Sequence, residues 1–471
     1  MFRWGNNSKS FKRLAIISSM KNQDQISPLD NRYNQKIVEL AKNFSESNLN
    51  KTRFEIEIDW MIFLTTQCGK KFPLLSNAAK KNLLTIKNNF NEKAAKRIKK
   101  IESKTNHDVK AVEYFIREEI KKYSNLKKYE HLVHFALTSE DINSLTYGVL
   151  LRDAKDIYTK KLDSLIKILN SKSKSWSSIP MLARTHGQAA SPSTLGKEIK
   201  VFHQRLIRQK EILKMIRPLA KFSGATGNYH TLYLADSTIN WASKTKKFIS
   251  TYNVEQNPIT TQIEPHDGIA EICQCIQRIN NILIDMNQDF WTYISNDIFK
   301  LRIKHGEVGS STMPHKVNPI DFENSEGNMG ISNSLMGFFA EKLSKSRLQR
   351  DLSDSTVLRN IGIGFGYSYL GIISCMQGLN KIQPNKIKTA SELSDNWQVL
   401  AEGLQIVMKL EGYENAYEEI KNLTRGQNLD KHSYLEIVDS LKISKTSKNK
   451  LKKLTPHNYI GIASILAKSK L

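Results

Sequence analysis

The stretch from Gly306 to Pro319, GEVGSSTMPHKVNP, combines residue types that can support catalysis. Ser310 and Ser311 follow a glycine, and Lys316 lies shortly downstream. A serine hydroxyl becomes an effective base or nucleophile only where N–H dipoles or a cation stabilise its alkoxide. Lys316 can supply that cation or bind a carboxylate, and the glycines allow a tight backbone. The stretch is a candidate catalytic loop, although a turn between two helices can have the same composition.

A second stretch, RTHGQAASPS, places His186 between Thr185 and Gly187. The unperturbed pKa of imidazole suits a general acid at neutral pH, and neighbouring polar side chains can orient a substrate. A solvent-exposed or helix-capping histidine would look the same in the sequence. His186 is therefore a candidate acid with a structural alternative.

Two further stretches are rich in polar groups. TNHDVKAVE contains Asn106, His107 and Asp108, which suit a substrate contact or a helix start capped by Asn106 or Asp108. SRLQRDLSDSTVLRN contains several arginines and serines, including Arg350 and Arg359. Guanidinium groups bind phosphate or carboxylate in a bidentate manner, but the same arginines could pair with nearby aspartates on a solvated helix face.

Long helices are predicted to position these stretches. After EPHD, with Asp267 as the expected N-cap, apolar residues recur at helical spacing from Ile272 to Tyr293. A second helix is predicted from TSEDINSL, capped by Thr138 or Ser139, and a third from about Ser193 to the proline at 218. TRFEIEIDW alternates like a strand but fits a helix equally well.

The pattern predicts an all-α fold with three helical regions and a central long-helix bundle. We expect a disordered N-terminal extension (1–25), an N-terminal helical domain (26–125), a central bundle domain (126–380) that carries the loop 306–319, and a C-terminal helical domain (381–471). Loops at the ends of bundle helices are common positions for functional sites.

The net charge of +25, from 71 Lys plus Arg against 46 Asp plus Glu, raises the alternative of a nucleic-acid-binding protein. The lysines are, however, spread over nearly every segment rather than gathered in one stripe. A basic surface that attracts a small anion fits this distribution better, and we expect no nucleic-acid partner. The four cysteines form no CxxC pair, so the sequence predicts neither a zinc site nor a disulfide framework.

The sequence contains no apolar run of the roughly 20 residues that a bilayer span requires, so we expect no membrane association. Residues 1–23 contain lysine and arginine but no acidic residue, a composition that organelle-targeting leaders share. We expect a cytoplasmic protein, with organelle targeting by residues 1–23 as the alternative.

Taken together, these stretches resemble the adenylosuccinate lyases of the bacterial type, a family of the fumarase and aspartase superfamily. GSSTMPHKVNP resembles the superfamily's signature loop, and RTHGQ, TNHDVKAVEY, TSEDIN, TTQIEPHD and RDLSDSTVLRN resemble motifs of the family. The resemblance runs from SPLDNRY to TPHNYIG, over nearly the whole chain.

The resemblance implies β-elimination of fumarate from adenylosuccinate, giving AMP, and from its carboxamide analogue SAICAR, giving AICAR. It implies that Ser310 is the general base and His186 the general acid. Residues implied to bind substrate are Arg32, Tyr33, Asn106, His107, Asp108, Thr138, Ser139, Gln262, Lys316, Asn318, Arg350, Ser355 and Arg359.

The resemblance further implies a homotetramer with a shared helical core and shared active sites, and no cofactor or metal. Argininosuccinate lyase, fumarase and aspartase share the serine loop and are the alternatives within the superfamily. They resemble this chain less at RTHGQ and lack the arginine-rich cluster at RDLSDSTVLRN.

Overall fold

The computed structural model describes residues 25–69, 71–302, 313, 315–424 and 429–469. Among these residues the regular structure is mainly helical, which confirms the all-α fold class. In chain order the α-helices are α1 (Val38–Phe44), α2 (Glu46–Gln67), α3 (Asn77–Asn88), α4 (Glu92–Thr105), α5 (Asp108–Ile120), α6 (Ser139–Ser175), α7 (Leu195–Met215), α8 (His230–Ala235), α9 (Trp241–Ser250), α10 (Asp267–Ser295), α11 (Ile320–Leu343), α12 (Ser353–Leu358), α13 (Ile361–Lys381), α14 (Lys386–Ser394), α15 (Ala401–Leu410), α16 (Ala416–Thr424), α17 (Lys431–Ser440), α18 (Lys445–Lys452) and α19 (Ala463–Lys468). Short 3₁₀ segments occupy Asn34–Lys36, Ser124–Leu132 and Trp397–Leu400.

The described strands form three two-stranded pairs. They are β1 (Pro180–Thr185) antiparallel to β2 (Gln188–Thr194), β3 (Leu219–Ala220) parallel to β4 (Glu255–Gln256), and β5 (Phe299–Leu301) antiparallel to β6 (Ile382–Pro384). The ambiguous stretch TRFEIEIDW lies in α2, whose side chains are buried around most of its circumference. A helix buried on most sides has no clear amphipathic period, which explains why its sequence also suited a strand.

Most predicted helix boundaries are close to those of the structure. The helix expected to be capped by Asp267 begins at Asp267 itself, and the helix expected from about Ser193 begins at Leu195 and ends at Met215. The apolar series of α10 is buried from Ile272 to Phe290, while Tyr293 is partly exposed. The prediction of a core-facing stripe is therefore confirmed along most of that helix.

Contacts divide the chain into two compact units. The first contains the described parts of Met1–Lys161, Lys210–Asn280 and Asn328–Gly371, and the second those of Leu162–Gln209, Asn281–Gly327 and Ile372–Leu471. The four-part division expected from the sequence stays a prediction.

The first unit has an aromatic core centred on Trp60 of α2. Its ring packs edge-on against Phe222 and Phe248, with centroids 4.9 and 5.1 Å away. A buried polar network joins the long helices of the same unit: the Tyr158 hydroxyl lies 2.8 Å from Ser368 Oγ, and Ser368 donates to Asn280 Oδ1 at 2.6 Å. Because an axial slip would leave these buried groups unpaired, the network fixes the register of the helices.

The second unit has its own apolar core, formed largely by the C-terminal helices. Leu404 and Met408 of α15 are fully buried, as are Tyr434 of α17 and Leu451 of α18. The Tyr434 hydroxyl donates to the Leu451 carbonyl at 3.0 Å, so this buried ring is also satisfied as a polar group.

Candidate active site

Most of the predicted substrate-binding residues line a single cavity in the first unit. The cavity has a volume of about 830 Å³. Its lining includes Asn106, His107, Asp108, Thr138, Ser139, Gln262, Arg350, Ser355 and Arg359. Residues from four separate stretches of sequence are thus brought together. Arg32 and Tyr33 lie outside this lining, and the Arg32 guanidinium lies 5.7 Å from the centre of the Tyr33 ring.

Arg350 is held in the cavity wall by three partners. Its Nη1 donates to Gln262 Oε1 at 3.3 Å, and its Nη2 donates to Ser355 Oγ at 3.1 Å. Nη2 also lies 3.2 Å from the buried carboxylate of Glu140. Burial raises the pKa of Glu140, and Arg350 opposes that rise. The alternative pairing with a nearby aspartate on a solvated face is found for Arg347, which lies 3.4 Å from Asp351. The ion-pair partner of Arg350 is instead Glu140 of α6.

The buried residues His266 and Asp354 lie next to this group, and neither is among the site residues predicted from the sequence. His266 Nε2 lies 3.7 Å from Asp354 Oδ2, and both side chains are nearly fully buried. Burial alone would raise the pKa of Asp354, but His266 and Arg350 hold it below its ordinary value. The available signal was the EPHD stretch, which places the ionisable His266 immediately before α10.

The start of α6 is fixed at the cavity by a buried ion pair. Asp141 and Lys221 are both fully buried and lie 2.7 Å apart. Asp141 also accepts hydrogen bonds from the backbone N–H groups of Thr138 and Ser223, each at 2.9 Å. The sequence predicts that the side chain of Thr138 or Ser139 caps this helix by accepting a backbone N–H. In the structure, the Thr138 backbone N–H instead donates to the Asp141 carboxylate.

His107 caps α5, in place of the predicted Asn106 or Asp108. Its Nδ1 accepts the N–H of Lys110 at 3.2 Å. Asn106 instead ends α4 in a left-handed conformation with φ of 51°. Asp108 Oδ2 lies 2.9 Å from Arg53 and 2.8 Å from Arg359. Burial favours a raised pKa for Asp108, but Arg53, the Val109 amide and Arg359 bring it below its ordinary value.

His186 lies in the second unit, at the tip of the β1–β2 hairpin. Thr185 pairs with Gln188, so His186 and Gly187 form a two-residue turn. Their φ angles are 52° and 75°, the positive values that a type I′ hairpin turn requires. The sequence predicts a loop for this stretch, because the usual signals of such a turn, Asn-Gly or Asp-Gly, are absent from it. His186 is exposed.

The signature loop is only partly described. Ser310, the predicted base, and Ser311 lie outside the described residues, as does the stretch 1–23. Lys316 is exposed and its N–H donates to the Met313 carbonyl at 3.1 Å, while Asn318 is partly buried.

Across the described ranges, no cluster of three or more His, Cys, Asp or Glu side chains has a metal-binding arrangement. All four cysteines are buried, and none of them forms a disulfide. None of the described helices combines the length and apolarity needed to span a membrane.

Comparison with known proteins identifies the family. A family model described as "Lyase" matches residues 31–336, and one described as "Adenylosuccinate lyase C-terminal" matches residues 346–460. The adenylosuccinate lyase of Legionella pneumophila (strain Corby) is 45% identical over 446 residues, which are 94% of this chain and 98% of the relative. That of Haemophilus influenzae is 46% identical over 440 residues (93% and 96%), and that of Escherichia coli K12 is 44% identical over 443 residues (93% and 96%).

Two solved structures share the fold. The fumarate lyase from Mesorhizobium sp. BNC1 has a TM-score of 0.73 at 15% identity, covering 91% of this chain and 96% of its own. The 3-carboxy-cis,cis-muconate lactonizing enzyme from Pseudomonas putida has a TM-score of 0.71 at 17% identity, covering 91% and 94%. With relatives about 45% identical over nearly their full length, the chain belongs to the adenylosuccinate lyase family of the fumarase and aspartase superfamily.

Proposed function

We propose that this chain is a carbon–nitrogen lyase of purine nucleotide biosynthesis, which eliminates fumarate from adenylosuccinate to give AMP and from SAICAR to give AICAR. The observation that carries the proposal is the cavity of the first unit. It joins the arginine cluster around Arg350 and Arg359 to the polar start of α6 at Thr138 and Ser139. A phosphorylated dicarboxylate needs such a combination of cationic and hydroxyl groups.

The arginine-rich part of the cavity lining is the part best suited to bind the phosphate of the substrate. Arg350 and Arg359 offer planar, permanently charged donor groups, and Ser355 adds a hydroxyl beside Arg350. The side chain of Arg359 is 40% exposed, so it is not enclosed by its carboxylate partners. We assign the phosphate contact to these residues and the further nucleotide contacts to Arg32, Tyr33, Asn106 and His107.

The succinyl end requires polar groups that bind carboxylates. We assign Thr138, Ser139 and Gln262 in the cavity to this role, together with Lys316 and Asn318 of the signature loop. As the C–H proton leaves, negative charge builds on the adjacent carboxylate, and a lysine ammonium with amide donors stabilises that charge.

Two proton transfers complete the reaction. Ser310, as an alkoxide, removes the proton from the carbon that bears a carboxylate, and His186 protonates the nitrogen as the C–N bond breaks. The electron pair of the C–H bond forms the double bond of fumarate, and the C–N pair remains on the leaving nitrogen. One residue therefore accepts the proton from carbon and another donates a proton to the leaving nitrogen, and we assign these roles to Ser310 and His186.

We also propose that the enzyme works in the cytoplasm as a homotetramer whose active sites combine residues of different copies. The exposure of both His186 and Lys316 in the single chain supports this arrangement. Proton transfer to a substrate is most effective when bulk water is excluded, and an isolated exposed turn does not provide that exclusion.

The test is the ultraviolet absorbance change of adenylosuccinate with the purified chain. We expect AMP and fumarate to form, and we expect Ser310→Ala to lower kcat by about 10²- to 10⁴-fold through loss of the base. Ser311→Ala is the matched control and should retain most of the activity. Turnover of argininosuccinate or malate without adenylosuccinate would contradict the substrate assignment, and equal losses in both serine variants would contradict the choice of base.

A further inference from the structure

Arg53 lines the cavity from α2 and is one of the most deeply buried charged side chains in the first unit, with 2% exposure. Its Nε donates to Asn143 Oδ1 at 2.9 Å, and its Nη1 donates to Asn50 Oδ1 at 3.3 Å. Its Nη2 lies 2.9 Å from Asp108 Oδ2. Each of the three nitrogens thus has a different partner, a geometry that the planar guanidinium provides and a lysine ammonium does not.

Asp108 connects this buried arginine to a more exposed one. The same oxygen, Asp108 Oδ2, lies 2.8 Å from Arg359 Nη2. Arg359 Nη1 donates to Glu46 Oε2 at 2.9 Å. Two carboxylates therefore hold the guanidinium of Arg359, and one of those carboxylates is itself fixed by Arg53.

The orientation of Arg359 affects how well it can bind an anion. A free arginine loses considerable side-chain freedom when it binds a ligand, and prior fixation removes part of that cost. The carboxylate of Asp108 carries the same charge sign as a phosphate, so it is poorly suited to contact one directly. Its position between two arginines suits a linking role instead.

We propose that Arg53 is a positioning residue for phosphate recognition: through Asp108 it holds the Arg359 guanidinium in the orientation that binds the 5′-phosphate of the substrate. This inference rests on the proposed function, because it assigns the arginine-rich part of the cavity to the phosphate. It changes the predicted role of Asp108 from substrate ligand to anionic link between two arginines.

The experiment measures the two ends of the site separately, with AMP as the phosphate-bearing product and fumarate as the dicarboxylate. AMP affinity is measured by calorimetry, which needs no turnover, and fumarate by its inhibition constant. We expect Arg53→Met and Arg53→Lys each to weaken AMP binding about tenfold, the size of effect that loss of one charge-assisted contact produces, with the fumarate constant unchanged. Arg97→Met, which removes an arginine from an exposed ion pair with Glu118, is the matched control and should change neither constant.

The Arg53→Lys variant separates geometry from charge, because it keeps the positive charge but removes the planar guanidinium. If Arg53→Lys retains wild-type AMP affinity, a buried positive charge suffices and the positioning role is wrong. Equal weakening of AMP and fumarate binding would show a general structural role and also overturn it. Should Arg53→Met fail to fold by circular dichroism, Arg53→Lys alone decides.

A double-mutant cycle tests the route through Asp108. With Arg359→Lys in the background, Arg53→Lys should cost clearly less AMP affinity than it does in the wild type, because the oriented group is already lost. Additive effects would show that Arg53 does not act through Arg359. Wild-type protein that binds AMP but does not convert adenylosuccinate would instead contradict the proposed function, so the two failures are distinguishable.

Discussion

The cavity of the first unit and the hairpin of the second unit hold their functional candidates in different ways. In the cavity, Arg350 and Arg53 are fixed by carboxylates that are themselves buried or paired. At the hairpin, His186 is exposed and is positioned by the backbone geometry of a two-residue turn. Buried charge pairs carry desolvation costs and become essential to the fold, whereas a group on a turn does not. Substitutions of the charged residues in the cavity should therefore affect stability and binding together, whereas a substitution of His186 that keeps the turn should affect the rate alone.

The largest expected effect is on the rate, at His186. Asparagine tolerates positive φ well and is the favoured first residue of a type I′ turn, so His186→Asn removes the imidazole while keeping the turn. We expect kcat to fall by about 10²- to 10⁴-fold through loss of the general acid. The thermal unfolding midpoint should stay unchanged or rise.

Steady-state kinetics and differential scanning calorimetry on the same preparation test this expectation. A variant that keeps its kcat would exclude His186 as the acid. A large fall in the unfolding midpoint would show that His186 also stabilises the fold, so that the hairpin does not differ from the cavity in this respect.

The next effect is on stability, at Arg350. Removing its guanidinium in Arg350→Met leaves Glu140 buried without its cationic partner, which we expect to cost about 3–5 kcal/mol in the free energy of unfolding. Protonation of Glu140 relieves part of this cost, so the loss should be larger at higher pH. Chemical denaturation at several pH values measures it.

The double variant Arg350→Met with Glu140→Met is the control. Two apolar side chains leave no unpaired charge, so most of the lost stability should return while AMP binding stays weak. Recovery of both properties would show that Arg350 serves the fold and not the ligand.

Much of the candidate site was predictable because its residues lie in distinctive stretches. Asn106 to Asp108, Thr138, Gln262 and the arginine cluster were selected from composition and resemblance, and the structure places them around one cavity. The buried face of α10 was equally predictable, because its apolar residues recur at the period of an α-helix.

What was missed are residues whose role depends on tertiary contacts. Arg53, Glu140 and Asp354 lie on helices, where a charged residue ordinarily faces solvent, and only packing shows that they are buried. The β1–β2 hairpin was missed because its strands pair locally through a bulge between Met181 and Ala183 and carry little regular alternation.

Two histidines extend the comparison to pH. His134 Nδ1 lies 2.6 Å from Glu57 Oε1, and its Nε2 lies 3.7 Å from Glu113. Burial opposes protonation, but Glu57, Glu113 and Asp141 bring the pKa of His134 above its ordinary value. This raised pKa contributes stability that is fully present below the unfolded-state value of about 6.5 and is lost as pH rises through the folded-state value.

We expect His134→Asn to remove this pH dependence. In the wild type, the free energy of unfolding should fall as the pH rises above about 6.5. The loss of one proton makes the slope of this fall at most about 1.4 kcal/mol per pH unit. His186→Asn, on the exposed turn, should leave that slope intact. Urea denaturation between pH 6 and 9 distinguishes the two variants, and an unchanged slope in His134→Asn would assign the pH dependence to other groups.

The smallest effect concerns Gly187, the second residue of the hairpin turn. Its φ is +75°, and an added Cβ would meet no atom within 4 Å, so Gly187→Ala costs only backbone strain, about 1 kcal/mol. Gly227 in the first unit has a similar φ of +80°, but its Cβ would lie 2.0 Å from the Thr260 carbonyl oxygen. Gly227→Ala must displace backbone as well, and should lose clearly more stability than Gly187→Ala in the same denaturation experiment. Because the two glycines have nearly the same φ, the difference between the two losses mainly reports the packing around Gly227. Equal losses would show that the turn of the second unit is as tightly constrained as the loop of the first.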